Sequence, residues 1–214
     1  MAESKGAKAP RKQVSAEERR RLLVAAALRV MKRDGIAAAS TRAISAEADM
    51  PHGAFHYCFR SKKELYAALL ASDIEIDLTE AWPDIHPEMS TEDNIRTLLH
   101  AFWSQIENDP EGQLVLFDLG SLALRDPELQ DLPQWEERAA LEKAAGYLRR
   151  FAQEAELEYS QPEECLAELL LASLNGITWS WLSHKDNVRA REALDRFAGL
   201  FATLTSKRAS STRR

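Results

Sequence analysis

The side chains most able to do chemistry crowd into a short stretch: Thr41, Arg42, His52, His56, Tyr57, Cys58 and Lys62. His52 and His56 stand four apart, a spacing that metal sites on helices use. The zinc-protease pattern needs Glu directly after the first His, and that place holds Gly53. Without a matched third ligand the pair reads as polar surface, so no metal is expected. Cys58 has no nearby Asp or Asn to orient a histidine, which argues against a nucleophile. Elsewhere no Gly-x-Ser-x-Gly, phosphate loop or paired-carboxylate arrangement stands out, so neither an enzyme nor a cofactor is expected. What remains is recognition: the planar fork of Arg42 suits a guanine edge or a phosphate.

Such residues work only if rigid elements present them. Ser15 followed by Glu18 forms a capping box that starts a first helix. Leu23, Ala26, Ala27, Val30 and Met31 recur at core spacing, and Asp34-Gly35 ends the helix. Arg19, Arg20, Arg29, Lys32 and Arg33 are left facing solvent or phosphate. Two short helices follow, over 41–48 and 52–59, joined by Asp49-Met50-Pro51. Neither is long enough to stand alone, so both must pack on the first. Ile44 and Ala48 make one buried edge and Phe55 with Phe59 the other, the hydrophobic skeleton of a helix-turn-helix. With Phe55 and Phe59 turned inward, Gly53 and Tyr57 turn outward with Ala54 alongside and His56 on the flank.

The segment running from Thr41-Arg42-Ala43-Ile44 through Gly53-Ala54-Phe55-His56-Tyr57 to Lys62-Lys63-Glu64-Leu65 resembles the TetR family signature. Its spacing of Thr, Ile, Ala, Gly, Phe, Lys and Leu matches throughout, and the resemblance is specific over about residues 15–66. It implies that Thr41, Arg42, His52, Gly53, Ala54, His56, Tyr57 and Lys62 face double-stranded operator DNA. Thr41 reads equally as a helix cap or as a phosphate contact. Gly53 lets the helix approach the groove, Ala54 suits a thymine methyl, and Lys62 pairs with a phosphate. Three positions depart from the pattern: Asp49 replaces a turn Gly, Pro51 replaces a cap such as Ser, and His56 stands where the family places a phosphate-binding Tyr. His56 and Tyr57 therefore compete for that contact.

The charge distribution agrees with a polyanion partner for the first part alone. The 214 residues carry a net charge of −6, yet residues 1–65 hold 14 Lys and Arg against 7 Asp and Glu, and the remainder is acidic. Eight Gly, eight Pro and no alternating β-branched runs predict an all-α fold without sheet. About nine helices are expected, the later ones near 91–108, 111–125, 134–158, 163–183 and 188–206, after a long helix running from Ser61 toward Glu80. The domain reading is a basic arm over 1–14, the DNA-binding unit over 15–60, a helical ligand-binding and dimerisation domain over 61–206, and a basic tail over 207–214, both ends disordered.

By the resemblance, the acidic body encloses a small-molecule effector and its last two helices pair two copies into a homodimer. Aromatics interleaved with polar groups nominate Phe102, Trp103, Phe117, Asp118, Asn175, Thr178 and Trp179 for the ligand. Core packing is the competing reading for each of them, and an architectural protein with a filled body is the competing reading of the whole. Two distant cysteines, Cys58 and Cys165, fit a reducing cytoplasm. The start has no secretory pattern, and the longest uncharged stretch, 169–184, is too short and polar for a membrane span.

Overall fold

A computed structural model describes residues 15–74, 78 and 81–208. The arm at 1–14, the far end of the tail at 209–214 and part of the expected run toward Glu80 lie outside the described residues. The chain divides into two compact units at Leu65 and Tyr66, inside one helix.

The first unit contains α1 (Ala16–Asp34), α2 (Thr41–Glu47), α3 (Ala54–Cys58) and the start of α4 (Lys62–Ile74), with a single 3-10 turn at Ile36–Ala38. The Ser15 hydroxyl accepts from the Glu18 amide, and Gly35 closes α1 at φ 82°, a left-handed value that disfavours any side chain. The five residues expected for the core of α1 are all buried. Leu23, Ile44, Phe55 and Phe59 meet in this small core at 1% exposure or less. Asp49 adopts φ 52° in the turn between α2 and α3, a conformation Asp tolerates better than most residues.

The second unit continues α4 and adds α5 (Thr91–Glu107), α6 (Pro110–Arg125), α7 (Asp131–Glu154), α8 (Glu163–His184) and α9 (Asn187–Ala202), giving nine α-helices among the described residues. Their starts follow from local chemistry. Ser90, Asp109 and Asp186 each accept an amide proton from the first turn of α5, α6 and α9 respectively. Pro110 at the head of α6 has no amide proton to lose there. α5 packs on α9 and α7 on α8, around Trp103, Phe151, Leu157, Leu166 and Leu194.

An absence of sheet does not hold. α7 stops at Glu154, and Glu156 turns the chain at φ 51° into β1 (Leu157–Tyr159). β1 pairs antiparallel with β2 (Thr205–Lys207), Glu158 opposite Ser206. The ribbon is anchored by Leu157, which is fully buried, and by the Tyr159 hydroxyl, which donates to the Leu148 carbonyl at 2.8 Å. Burial, with Glu163 adding to it, holds that phenol well above its usual range, so it stays a donor. The expected helix over 188–206 therefore ends early, and Lys207 belongs to a strand rather than to a tail.

α8 is long and apolar enough, by length and composition, to cross a membrane. In this structure one side of it, carrying Leu166, Ala167, Leu174, Trp181 and Leu182, is buried against its neighbours, while Leu169 and Trp179 are exposed.

Candidate nucleic-acid interface and ligand cavity

Packing decides what the first unit shows outward. Phe55 and Phe59 lie 5.4 Å apart in the core, so the rest of α3 has one free face. There Tyr57 is 92% exposed, and His52, Gly53 and His56 are exposed beside it. The His52 and His56 rings meet edge to face at 6.0 Å, forming one continuous polar surface. Arg42 and Lys62 are exposed, while Thr41 and Ala54 are half-buried. The cap of α2 is Ser40, whose hydroxyl accepts from the Ala43 amide at 3.1 Å. Thr41 is thus the first helical residue, with its hydroxyl not used as the cap. Lys62 opens α4 one place after Ser61, which accepts from the Glu64 amide.

Three other arginines of the unit make contacts within it. Both Arg29 and Arg33 of α1 bind Glu47 at the end of α2, at 2.8 and 3.0 Å to different carboxylate oxygens. The Arg29 hydrogen bond, then that of Arg33, hold the Glu47 carboxyl below the usual glutamate range. Arg20 donates to the Cys58 carbonyl at 2.7 Å. Arg29 and Arg33 are exposed, as expected of these α1 cations, and each also ties α1 to α2; Arg20, half-buried against α3, is the one that does not face solvent. Arg42 and Lys62 are exposed and have no ion pair among the described residues.

In the second unit α5, α6, α7, α8 and α9 line a cavity of about 790 Å³ with mostly apolar walls. Phe102, Phe117, Asn175, Thr178 and Trp179 line it, and the Phe117 and Trp179 rings meet edge to face at 5.4 Å. Thr178 spends its hydroxyl proton on the Leu174 carbonyl at 2.8 Å. Trp103 and Asp118 fall outside the lining. One residue is roughly 100° of helix rotation, which turns Trp103 from its neighbour Phe102 into the core, against Trp181 at 5.5 Å. The same rotation puts Asp118 on the exposed side of α6. Sequence reasoning missed the α7 wall, where Ala140, Ala144, Tyr147, Leu148 and Phe151 recur at helical spacing. It missed Leu78 as well, which lines the cavity and whose amide donates to the Tyr147 hydroxyl at 3.3 Å.

Comparison with known proteins agrees with this geometry. Residues 23–69 match the profile described as bacterial regulatory proteins, tetR family. Over 123 residues the chain is 34% identical to the HTH-type nicotine-responsive transcriptional repressor HdnoR of Paenarthrobacter nicotinovorans; the match covers 56% of this chain and 61% of that protein. The structure of the multidrug binding protein EbrR complexed with ethidium aligns with a TM-score of 0.59 at 29% identity, over 84% of this chain and 98% of that one. A TetR family member from Streptomyces coelicolor A3 is 30% identical with a TM-score of 0.60, over 84% of this chain and 97% of its own. With a relative matched over nearly its whole length and the helix-turn-helix in place, the chain belongs to the TetR family.

Proposed function

We propose that this protein is a transcriptional repressor that binds operator DNA as a homodimer and is released by a small-molecule effector. The observation that carries the reading is the free polar face of α3, with Tyr57 at 92% exposure, on a basic unit in which Arg29 and Arg33 of α1 are paired with Glu47. That face enters the major groove, where Gly53, Ala54 and Tyr57 meet base edges and His52 and His56 the flanking backbone. Arg42 serves a base or a phosphate, Thr41 a phosphate beside it, and Lys62 a phosphate. The two copies join through α8 and α9, where Leu169, Trp179, Val188 and Leu200 are large apolar side chains left exposed. Joined so, they present recognition helices about 34 to 36 Å apart, one turn of duplex. Such a protein works in the cytoplasm, where the chromosome is, and it binds rather than catalyses.

The effector occupies the cavity, whose aromatic and aliphatic walls suit a flat, largely apolar molecule, with Asn175 to orient it. Phe102, Phe117, Thr178 and Trp179 are its other contacts. The relatives named for nicotine and ethidium are in keeping with such a ligand. A filled body would have favoured an architectural protein, and the cavity speaks against that alternative. Leu78 reaches the cavity just past α4, so a ligand that displaces Tyr147 alters the support of the helix that leads back to the DNA-binding unit. Release requires that the ligand bind the two arrangements with different affinity. The test is to titrate a compound shown to fill the cavity into the protein bound to its operator. Loss of DNA affinity at saturation is expected; unchanged affinity at saturation contradicts the release mechanism.

A further inference from the structure

The recognition helix α3 is five residues long, and Gly53 at its start offers no side-chain cap. So short a helix cannot hold its own orientation, and beyond the Phe59 amide, which donates to the Phe55 carbonyl at 2.8 Å, the backbone offers its last turn little further support. One side chain meets that end. Arg20 of α1 donates to the carbonyl of Cys58, the last helical residue, at 2.7 Å. The same guanidinium lies over the Phe59 ring, its central carbon 4.2 Å from the ring centroid. Phe59 is 1% exposed and packs on Phe55, so Arg20 grips both the C-terminal end of α3 and the aromatic anchor below it. A cation at a helix C-terminus is also favoured by the helix dipole.

Both contacts depend on direction: the carbonyl must point at the fork and the ring must lie flat beneath it. Together they select one rotation of α3 about its axis, the one that puts Gly53 and Tyr57 outward. We propose that Arg20 is a positioning residue that fixes the rotation of the recognition helix, and through it which base edges are read, without itself touching DNA. The proposal rests on the operator-binding reading given above. It assigns to α1 a second strut, matching the Arg29 and Arg33 pair that holds α2 through Glu47.

The test uses full-length Arg20→Gln and Arg20→Lys with two readouts. In the free protein, amide hydrogen exchange at Cys58 and Phe59 is expected to quicken roughly tenfold in Arg20→Gln, while the α2 amides of Ile44 and Ala48 keep their protection. On the duplex that wild type enriches from a random library, affinity falls but the slope of log affinity against log salt stays that of wild type. Arg20→Lys, with one compact donor and no flat face, falls between wild type and Arg20→Gln. Unchanged exchange with a slope reduced by about one makes Arg20 a phosphate contact and overturns the proposal. Exchange that quickens equally in α1, α2 and α3 makes it a general stability residue and overturns it too. If Arg20→Gln does not fold, Arg20→Lys is judged by the same two readouts. If wild type enriches no duplex, the operator reading fails, and the exchange pattern still decides whether Arg20 holds α3.

Discussion

Among the cations of the first unit, Arg20, Arg29 and Arg33 hold neighbouring helices, and Arg42 and Lys62 do not. Arg42 and Lys62 are exposed and unpaired among the described residues, so their substitution is expected to cost DNA binding and little stability. Arg42→Ala should weaken the selected site, and where the side chain reads a base it should relax preference there by about 1 to 3 kcal/mol, measured by competition between single-base variants. Lys62→Ala should weaken all duplexes alike and lower the salt slope by about one. Glu47 behaves oppositely. Its folded pKa is lowered, so its contribution to stability is complete at neutral pH and fades as the pH falls below the ordinary glutamate value of about 4.3. Thermal unfolding of Glu47→Gln against wild type should show the largest gap near neutrality, closing as acid protonates the carboxylate. The outward turn of Tyr57 was legible because Phe55 and Phe59 are four apart. The pairing of Glu47 with arginines 18 and 14 residues earlier was not, because spacing along a chain does not reveal contacts between separate helices.

At the scale of elements, caps and apolar periodicity wrote most helix starts into the sequence: Ser15, Ser90 and Asp109 all accept amides as such residues should. The starts that differed lack this signal. α7 begins at Asp131, after Gln130, which makes no side-chain cap, and it carries Pro133 in its first turn, where proline is tolerated. The ribbon of β1 and β2 escaped because each strand is three residues, too short for alternation to register. It is nonetheless part of the core. Leu157 is fully buried beneath it, so Leu157→Ala is expected to lower unfolding free energy by about 2 to 5 kcal/mol in urea titrations. A loss below 1 kcal/mol would mean the ribbon merely rests on the helices.

For the whole molecule, the body reconciles two demands on one helix. α8 buries Leu174 and Trp181 in its own chain, turns Asn175 and Trp179 to the cavity, and still leaves Leu169 and Trp179 exposed. In the proposed dimer that remaining surface is covered by a second copy. Leu200→Glu on α9, where the leucine is 68% exposed, is expected to shift sedimentation from dimer to monomer and to abolish operator binding while helical content persists. A dimer unchanged by Leu200→Glu would place the interface elsewhere. The aromatics Phe102, Phe117 and Trp179 were legible as lining candidates, whereas Trp103 beside them is core. A one-residue step decides between the two, and the tertiary neighbours of α5 decide which way each residue turns.

The most direct test is selection of duplexes from a random DNA library by the purified protein at near-physiological salt, followed by sequencing of the survivors. An inverted repeat with half-sites about one helical turn apart is the expected result, since two copies of α3 must read successive major grooves. Weak, salt-sensitive binding with no enriched sequence would contradict the repressor reading and would mean that α3, with Asp49, Pro51 and His56 where they stand, contacts DNA without reading it.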